Sequence, residues 1–116
     1  ITLKPGERAL IPTGLIFDIP EDHSVRIHTR SSWAAIKGIG LSVSQGIIDS
    51  DYVEEVFVPM VNNTDKLFHI RSGERIAQIE LVRTIPTINT WIDDRPTKRG
   101  NRDGGFGSTD KMKGSK

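Results

Sequence analysis

Four polar stretches of this chain carry side chains whose types and spacing suit phosphate chemistry. In "HTRSSWAAIKGI", Arg30, Ser31 and Ser32 follow a β-patterned run and open a short helical turn, where free backbone N–H groups favour an anion and a guanidinium can clamp phosphate oxygens. The same residues also suit an ordinary Ser cap beside a surface arginine. In "SQGIIDSDYVEE", Asp49 ends an apolar hairpin strand, where a carboxylate can orient a water for in-line attack, and Tyr52 offers a ring that can lie flat under a sugar. "DSD" is equally a common turn. In "SGERIAQIEL", Gln78 stands alone among apolar neighbours, placed either to bind phosphate or water or to make a cross-strand hydrogen bond. Last, "RGNRDGGFGST" from Arg99 to Thr109 has the glycine spacing of loops that wrap a phosphate, yet it lies close to the C-terminus.

The elements that must position these residues read as β. "SVRIHT" alternates Val25 and Ile27 with Arg26 and His28; "VFVPMVN" puts Val56, Val58 and Met60 on one face; "RIAQIELV" puts Ile76 opposite Ala77, Ile79 and Leu81. Turn chemistry punctuates them in "KPGE", "IPED", "NNTD" and "RSGE". Only "SSWAAIKG" suits a helical turn or two, started by a Ser cap. Many short strands at near-regular spacing predict an all-β jelly roll or barrel, not a parallel α/β sheet.

The chain has 116 residues, enough for one domain that buries roughly two-thirds of its unfolded surface. It has no cysteine, no apolar run long enough for a membrane span and no signal-like leader, so a soluble intracellular protein is expected. The first residue is Ile1 and not methionine, and a preceding segment is expected. Net charge is +1, which does not suggest a general nucleic-acid binder. Residues 1–96 carry 10 Lys/Arg against 13 Asp/Glu, and residues 97–116 carry 6 against 2. The expected organisation is therefore a β domain over 1–96 and a mobile, cationic, glycine-rich lid over 97–116, whose only large apolar residues are Phe106 and Met112. His23, His28 and His69 lack metal-ligand spacing, and Trp33 and Trp91 read as core or interface anchors.

In order, "TRSSWAA", "GIIDSDY", "SGERIAQIEL" and "RGNRDGGFGST" resemble four of the five motifs of the trimeric deoxyuridine triphosphate nucleotidohydrolases, the dUTPases. The resemblance implies a jelly-roll homotrimer with sites shared between subunits and a closing C-terminal arm. It implies hydrolysis of dUTP to dUMP and pyrophosphate with Mg2+, keeping uracil out of DNA and supplying dUMP for dTMP synthesis. Asp49 then matches the residue that activates water, Arg30 and Ser31 (with Ser32 beside them) the triphosphate ligands, and Tyr52 the ring against deoxyribose. The backbone around Val43 to Ile48, Gly46 and Ile48 included, matches the segment that reads uracil, and Gln78 the amide near the phosphates. In the arm, Phe106 matches the ring stacked on uracil, while Gly107, Ser108 and Thr109 match the cover over the outer phosphates.

The metal-holding aspartate of the first motif, "AGxDL", would lie upstream of Ile1, so the resemblance implies no metal ligand within these residues. A two-residue insertion in the arm makes Arg99 the phosphate ligand; without a gap Asn101 falls there, with Arg102 adjacent, and Arg99 is preferred. "YVEE" at Tyr52 to Glu55 stands where the family has Tyr-Arg-Gly, and Asp110 where it has glycine. The place of action is the cytoplasm, or a host cell's cytoplasm for a virus, with no nucleic-acid or membrane partner. Two alternatives stay open: a dCTP deaminase-like enzyme, for which Glu54, Glu55 and Glu80 are available, and a non-catalytic nucleotide sensor on the same fold.

Overall fold

The structure, a computed structural model, describes residues 1–101, 104 and 105. Strands β1 (Thr2–Leu3), β2 (Arg8–Pro12), β3 (His23–Thr29), β4 (Ile39–Leu41), β5 (Gly46–Asp49), β6 (Phe57–Asn62), β7 (Phe68–His69) and β8 (Ala77–Arg83) are joined by turns and by one π-helical turn, Trp33–Lys37. They form two three-stranded antiparallel sheets, β2-β6-β4 and β5-β3-β8, and a ribbon, β1-β7. Both larger sheets feed one apolar core, as an all-β jelly roll requires. By contacts the chain divides into two units, Ile1–Pro86 and Thr87–Lys116.

The alternation read from the sequence sorts the strands as expected. Val56, Val58 and Met60 are buried on one face, and Val25 and Ile27 are buried while Arg26 is exposed. On β8 the pattern holds but burial does not follow it: Ile79 and Leu81 remain 56% and 58% exposed, although Ile79 pairs with buried Ile27 and Leu81 with buried Val25. Alternation sets which face a side chain takes, not whether another element covers that face.

Turn chemistry explains how so many strands fit into so short a chain. In "KPGE" the Glu7 amide donates to the Lys4 carbonyl, Gly6 takes φ 74°, and the Glu7 carboxylate accepts the Lys4 amide. "RSGE" repeats the device with Gly73 at φ 84° and the Glu74 carboxylate accepting the Arg71 amide. Glycine at the third position is what a positive φ there demands. The Ser cap expected before the helical turn does not form: Ser32 already has αR backbone angles and makes no side-chain cap bond. Closure comes instead from Gly38 at φ 69°, whose amide donates to the Trp33 carbonyl, a spacing of five residues. Trp33 is a core residue as expected, whereas Trp91 is fully exposed.

One buried polar side chain ties the ribbon and a turn to the β2-β6-β4 sheet. Asn62, fully buried at the end of β6, donates from Nδ2 to the carbonyls of Leu3 (3.0 Å) and Lys66 (2.7 Å), and accepts at Oδ1 from the Thr64 amide and hydroxyl (2.9 and 2.7 Å). Its amide therefore has two donors and two acceptor sites filled. Replacing it with Ala strands several of these partners away from water, each at about 1–3 kcal/mol. Asn62→Ala is expected to lower unfolding stability by about 3 kcal/mol or more, measured by urea denaturation.

Candidate functional site

β3 is the axis on which the sequence-selected residues are arranged, since it pairs with β5 on one side and β8 on the other. Asp49 stands opposite Ser24, at the start of β3. Gln78 stands opposite His28, and Thr29 opposite Ala77, at its far end. Arg30 leaves that same far end and donates from Nη1 to the Arg75 carbonyl at 2.7 Å, so Arg30, Ser31, Ser32 and Gln78 share one end of the sheet. Asp49 and Tyr52 occupy the other, joined by a bond from the Tyr52 amide to the Asp49 carbonyl at 3.1 Å. Along β3 the interval from Ser24 to Arg30 is six residues, or about 20 Å of strand. A single chain thus does not bring its candidate water-activating carboxylate to its candidate phosphate arginine.

Asp49 is exposed, as are Ser31, Ser32, Tyr52 and Gln78, while Arg30 is half-buried. The Tyr52 hydroxyl donates to the Glu55 carbonyl, and the Glu55 carboxylate accepts the Gly14 amide at 3.2 Å. The "YVEE" departure therefore has a structural consequence, a hairpin braced against the turn after β2. Thr13 adds to this brace through its hydroxyl, which donates to the Val56 carbonyl at 2.6 Å.

Ile48 is buried with its side chain in the core, so only its peptide groups are available to a ligand. β5 is the other edge of its sheet, and an edge strand keeps one row of N–H and C=O groups free of the ladder. Such a row can read the hydrogen-bonding edge of a base. Gly46 sits where a Cβ would meet Ile27 atoms at 3.1–3.4 Å, so glycine there lets β5 lie close to β3.

Among the described residues no three His, Cys, Asp or Glu side chains are grouped to hold a metal ion. Each histidine has another partner: His23 Nδ1 lies 3.0 Å from Asp22, His28 Nε2 2.8 Å from Glu80, and His69 Nδ1 2.7 Å from the Thr2 hydroxyl. A cavity of about 550 Å³ opens between the sheets, lined by Ile11, Ile27, Val58 and Ile79 together with Arg71 and Glu74 among others. None of the candidate site residues lines it. Arg99 is exposed in the second unit, and Phe106, Gly107, Ser108 and Thr109 lie outside the described residues.

The contacts that hold Arg30 escaped sequence reading. Its guanidinium carbon lies 5.7 Å from the Trp33 ring centroid, within cation–π range. An aromatic three residues after an arginine on a helical turn is the signal that was available, because such positions are neighbours on the turn.

Two three-stranded antiparallel sheets over one core make the fold an all-β jelly roll, with Arg30 at one end of β3 and the Asp49 hairpin at the other. The family model described as dUTPase matches residues 1–110. The deoxyuridine 5'-triphosphate nucleotidohydrolase of Rhizobium rhizogenes is 44% identical over 110 residues, covering 94% of this chain and 69% of that protein. The protein of the same name from Anaeromyxobacter sp. is 39% identical over 109 residues, with 94% and 74% covered. The solved structure of the Staphylococcus bacteriophage 80alpha dUTPase with dUPNHPP has the same fold, with a TM-score of 0.82 at 21% identity over 94% of this chain and 79% of that one. The chain belongs to the dUTPase family.

The close approach at Gly46 gives a direct check on how β5 is carried. Gly46→Ala is expected to cost about 1–3 kcal/mol through overpacking against Ile27, since the nearest atom is a Cβ that cannot swing away. Urea denaturation of the variant measures it.

Proposed function

We propose that this protein hydrolyses dUTP to dUMP and pyrophosphate. Asp49 holds and deprotonates a water that attacks the α-phosphorus; the bond from that phosphorus to the bridging oxygen breaks, and pyrophosphate leaves with the electron pair. Arg30, Ser31 and Gln78 bind the phosphate oxygens, where a guanidinium and hydrogen-bond donors offset charge that grows on the leaving group. The peptide edge of β5 reads the base, and the Tyr52 ring packs against deoxyribose. Arg99, Phe106, Gly107, Ser108 and Thr109 close over the base and outer phosphates. Magnesium is the cofactor of this scheme and would offset charge on the triphosphate and on the leaving pyrophosphate; among the described residues no three His, Cys, Asp or Glu side chains are grouped to hold it.

The observation that carries this reading is the family's reach over residues 1–110, combined with the placement of Arg30 and Gln78 at one end of β3 and Asp49 at the other. That separation also supports a homotrimer with shared sites, in which one subunit's Asp49 end meets another's Arg30 end.

Two measurements test the scheme. Asp49→Asn preserves shape and removes the base, so kcat for dUTP should fall by about a hundredfold or more while affinity for dUPNHPP stays near that of the wild type. Retention of most of the wild-type rate would remove Asp49 from the mechanism. Light scattering at micromolar concentration should give three times the 12.9 kDa chain mass; the mass of a monomer would contradict shared sites.

A further inference from the structure

Trp33 is 3% exposed and is the buried residue of the π-helical turn, and its ring meets two cations and a second aromatic at once. The Arg30 guanidinium carbon is 5.7 Å from the indole centroid, and the Lys37 ammonium is 5.1 Å from the same ring. The Lys37 ammonium is also 5.7 Å from the ring of Phe68, which packs on the indole edge to face, with centroids 5.3 Å apart and an interplanar angle of 71°. Backbone bonds fix the scaffold: the Ala34 amide donates to the Arg30 carbonyl at 3.0 Å, and the Gly38 amide to the Trp33 carbonyl.

Two like charges gathered on one ring repel each other, and neither has a carboxylate partner within salt-bridge reach among the described residues. The electron-rich ring faces and the Arg75 carbonyl compensate that repulsion only in part. An anion is the class of ligand that such a pair of cations attracts. Arg30 spends one of its five N–H donors on Arg75, which leaves the rest of the fork for oxygens from outside the chain.

We propose that Trp33 is a positioning residue for the phosphate end of the site: the indole, braced by Phe68, holds both Arg30 and Lys37 against its ring so that their positive charges act on the triphosphate. This rests on the dUTP reading of Arg30 and adds Lys37 and Trp33 to it. An unsupported arginine or lysine would have to be ordered when substrate arrives, and a platform that orders it beforehand removes that cost from binding. Arg30 can still reach its bound position without the platform, so the loss is read mainly in KM, with kcat changed less.

The experiment uses the full chain and compares Trp33→Leu, Trp33→Phe, Arg30→Ala and the Arg30→Ala/Trp33→Leu double variant for dUTP hydrolysis. Trp33→Leu is expected to raise KM about three- to tenfold with kcat within about twofold, and Trp33→Phe, which keeps a π face, to recover most of that loss. With Arg30 already gone, Trp33→Leu should change KM less than it does in the wild-type background. An equal change in both backgrounds, or a kcat loss that follows a fall in Tm, would overturn the proposal.

A second readout does not depend on the leucine variant folding or on hydrolysis. In a Trp91→Phe background Trp33 is the sole indole, and its emission should change on titration with inorganic triphosphate, an effect that Arg30→Ala should weaken. Unchanged emission at saturating triphosphate would overturn the platform. Failure of the wild type to hydrolyse dUTP would instead overturn the proposed function, with the emission readout still deciding whether Trp33 sits under an anion site.

Discussion

The antiparallel pairing of β3 with two neighbours at once is the constraint from which the site follows. Its register places Asp49 beside Ser24 and Gln78 beside His28, and a slip of one residue on either side would turn the core residues Val25 and Ile27 out to water. Because the buried face forbids that slip, the polar residues on the opposite face are held at fixed intervals. The distance between the carboxylate end and the arginine end is thus a by-product of core packing.

That distance gives the dUTPase assignment a physical form. Register sets the candidate residues along the sheet: Asp49 lies opposite Ser24, Gly46 opposite Ile27 and Gln78 opposite His28, with Arg30 following the end of β3. The chain is economical: most strands have five residues or fewer, and two tight turns are closed by their own glutamates.

Polar groups inside the fold follow one rule: they are retained where a single side chain can satisfy several peptide groups. Asn62 does this for the ribbon and the turn that follows β6, and Thr29 does it on a smaller scale, its hydroxyl accepting the Leu41 amide at 2.9 Å. No buried side-chain nitrogen or oxygen is left without a partner among the described residues. Arg30 and Lys37 differ, since an aromatic ring contacts both and a carbonyl accepts from Arg30.

The strands of the core and the turns were legible in the sequence because each depends on neighbours a few positions away. Alternation put Val56, Val58 and Met60 on one face, and glycine in "KPGE" and "RSGE" marked a positive φ. The order of the motifs named the family, since glycine, arginine and aspartate at those spacings have few other uses together. Three things were decided only by tertiary structure. One is the wide separation of Asp49 from Arg30, which depends on strand register and so on packing summed over both sheets. Another is the exposure of Ile79 and Leu81, which alternation cannot foresee because it reports a face and not what covers that face. The last is the grip of Trp33 on Arg30 and Lys37: a local pattern marks the three as neighbours on a turn, but only Phe68, brought in from more than thirty residues away, wedges the ring where both cations can reach it.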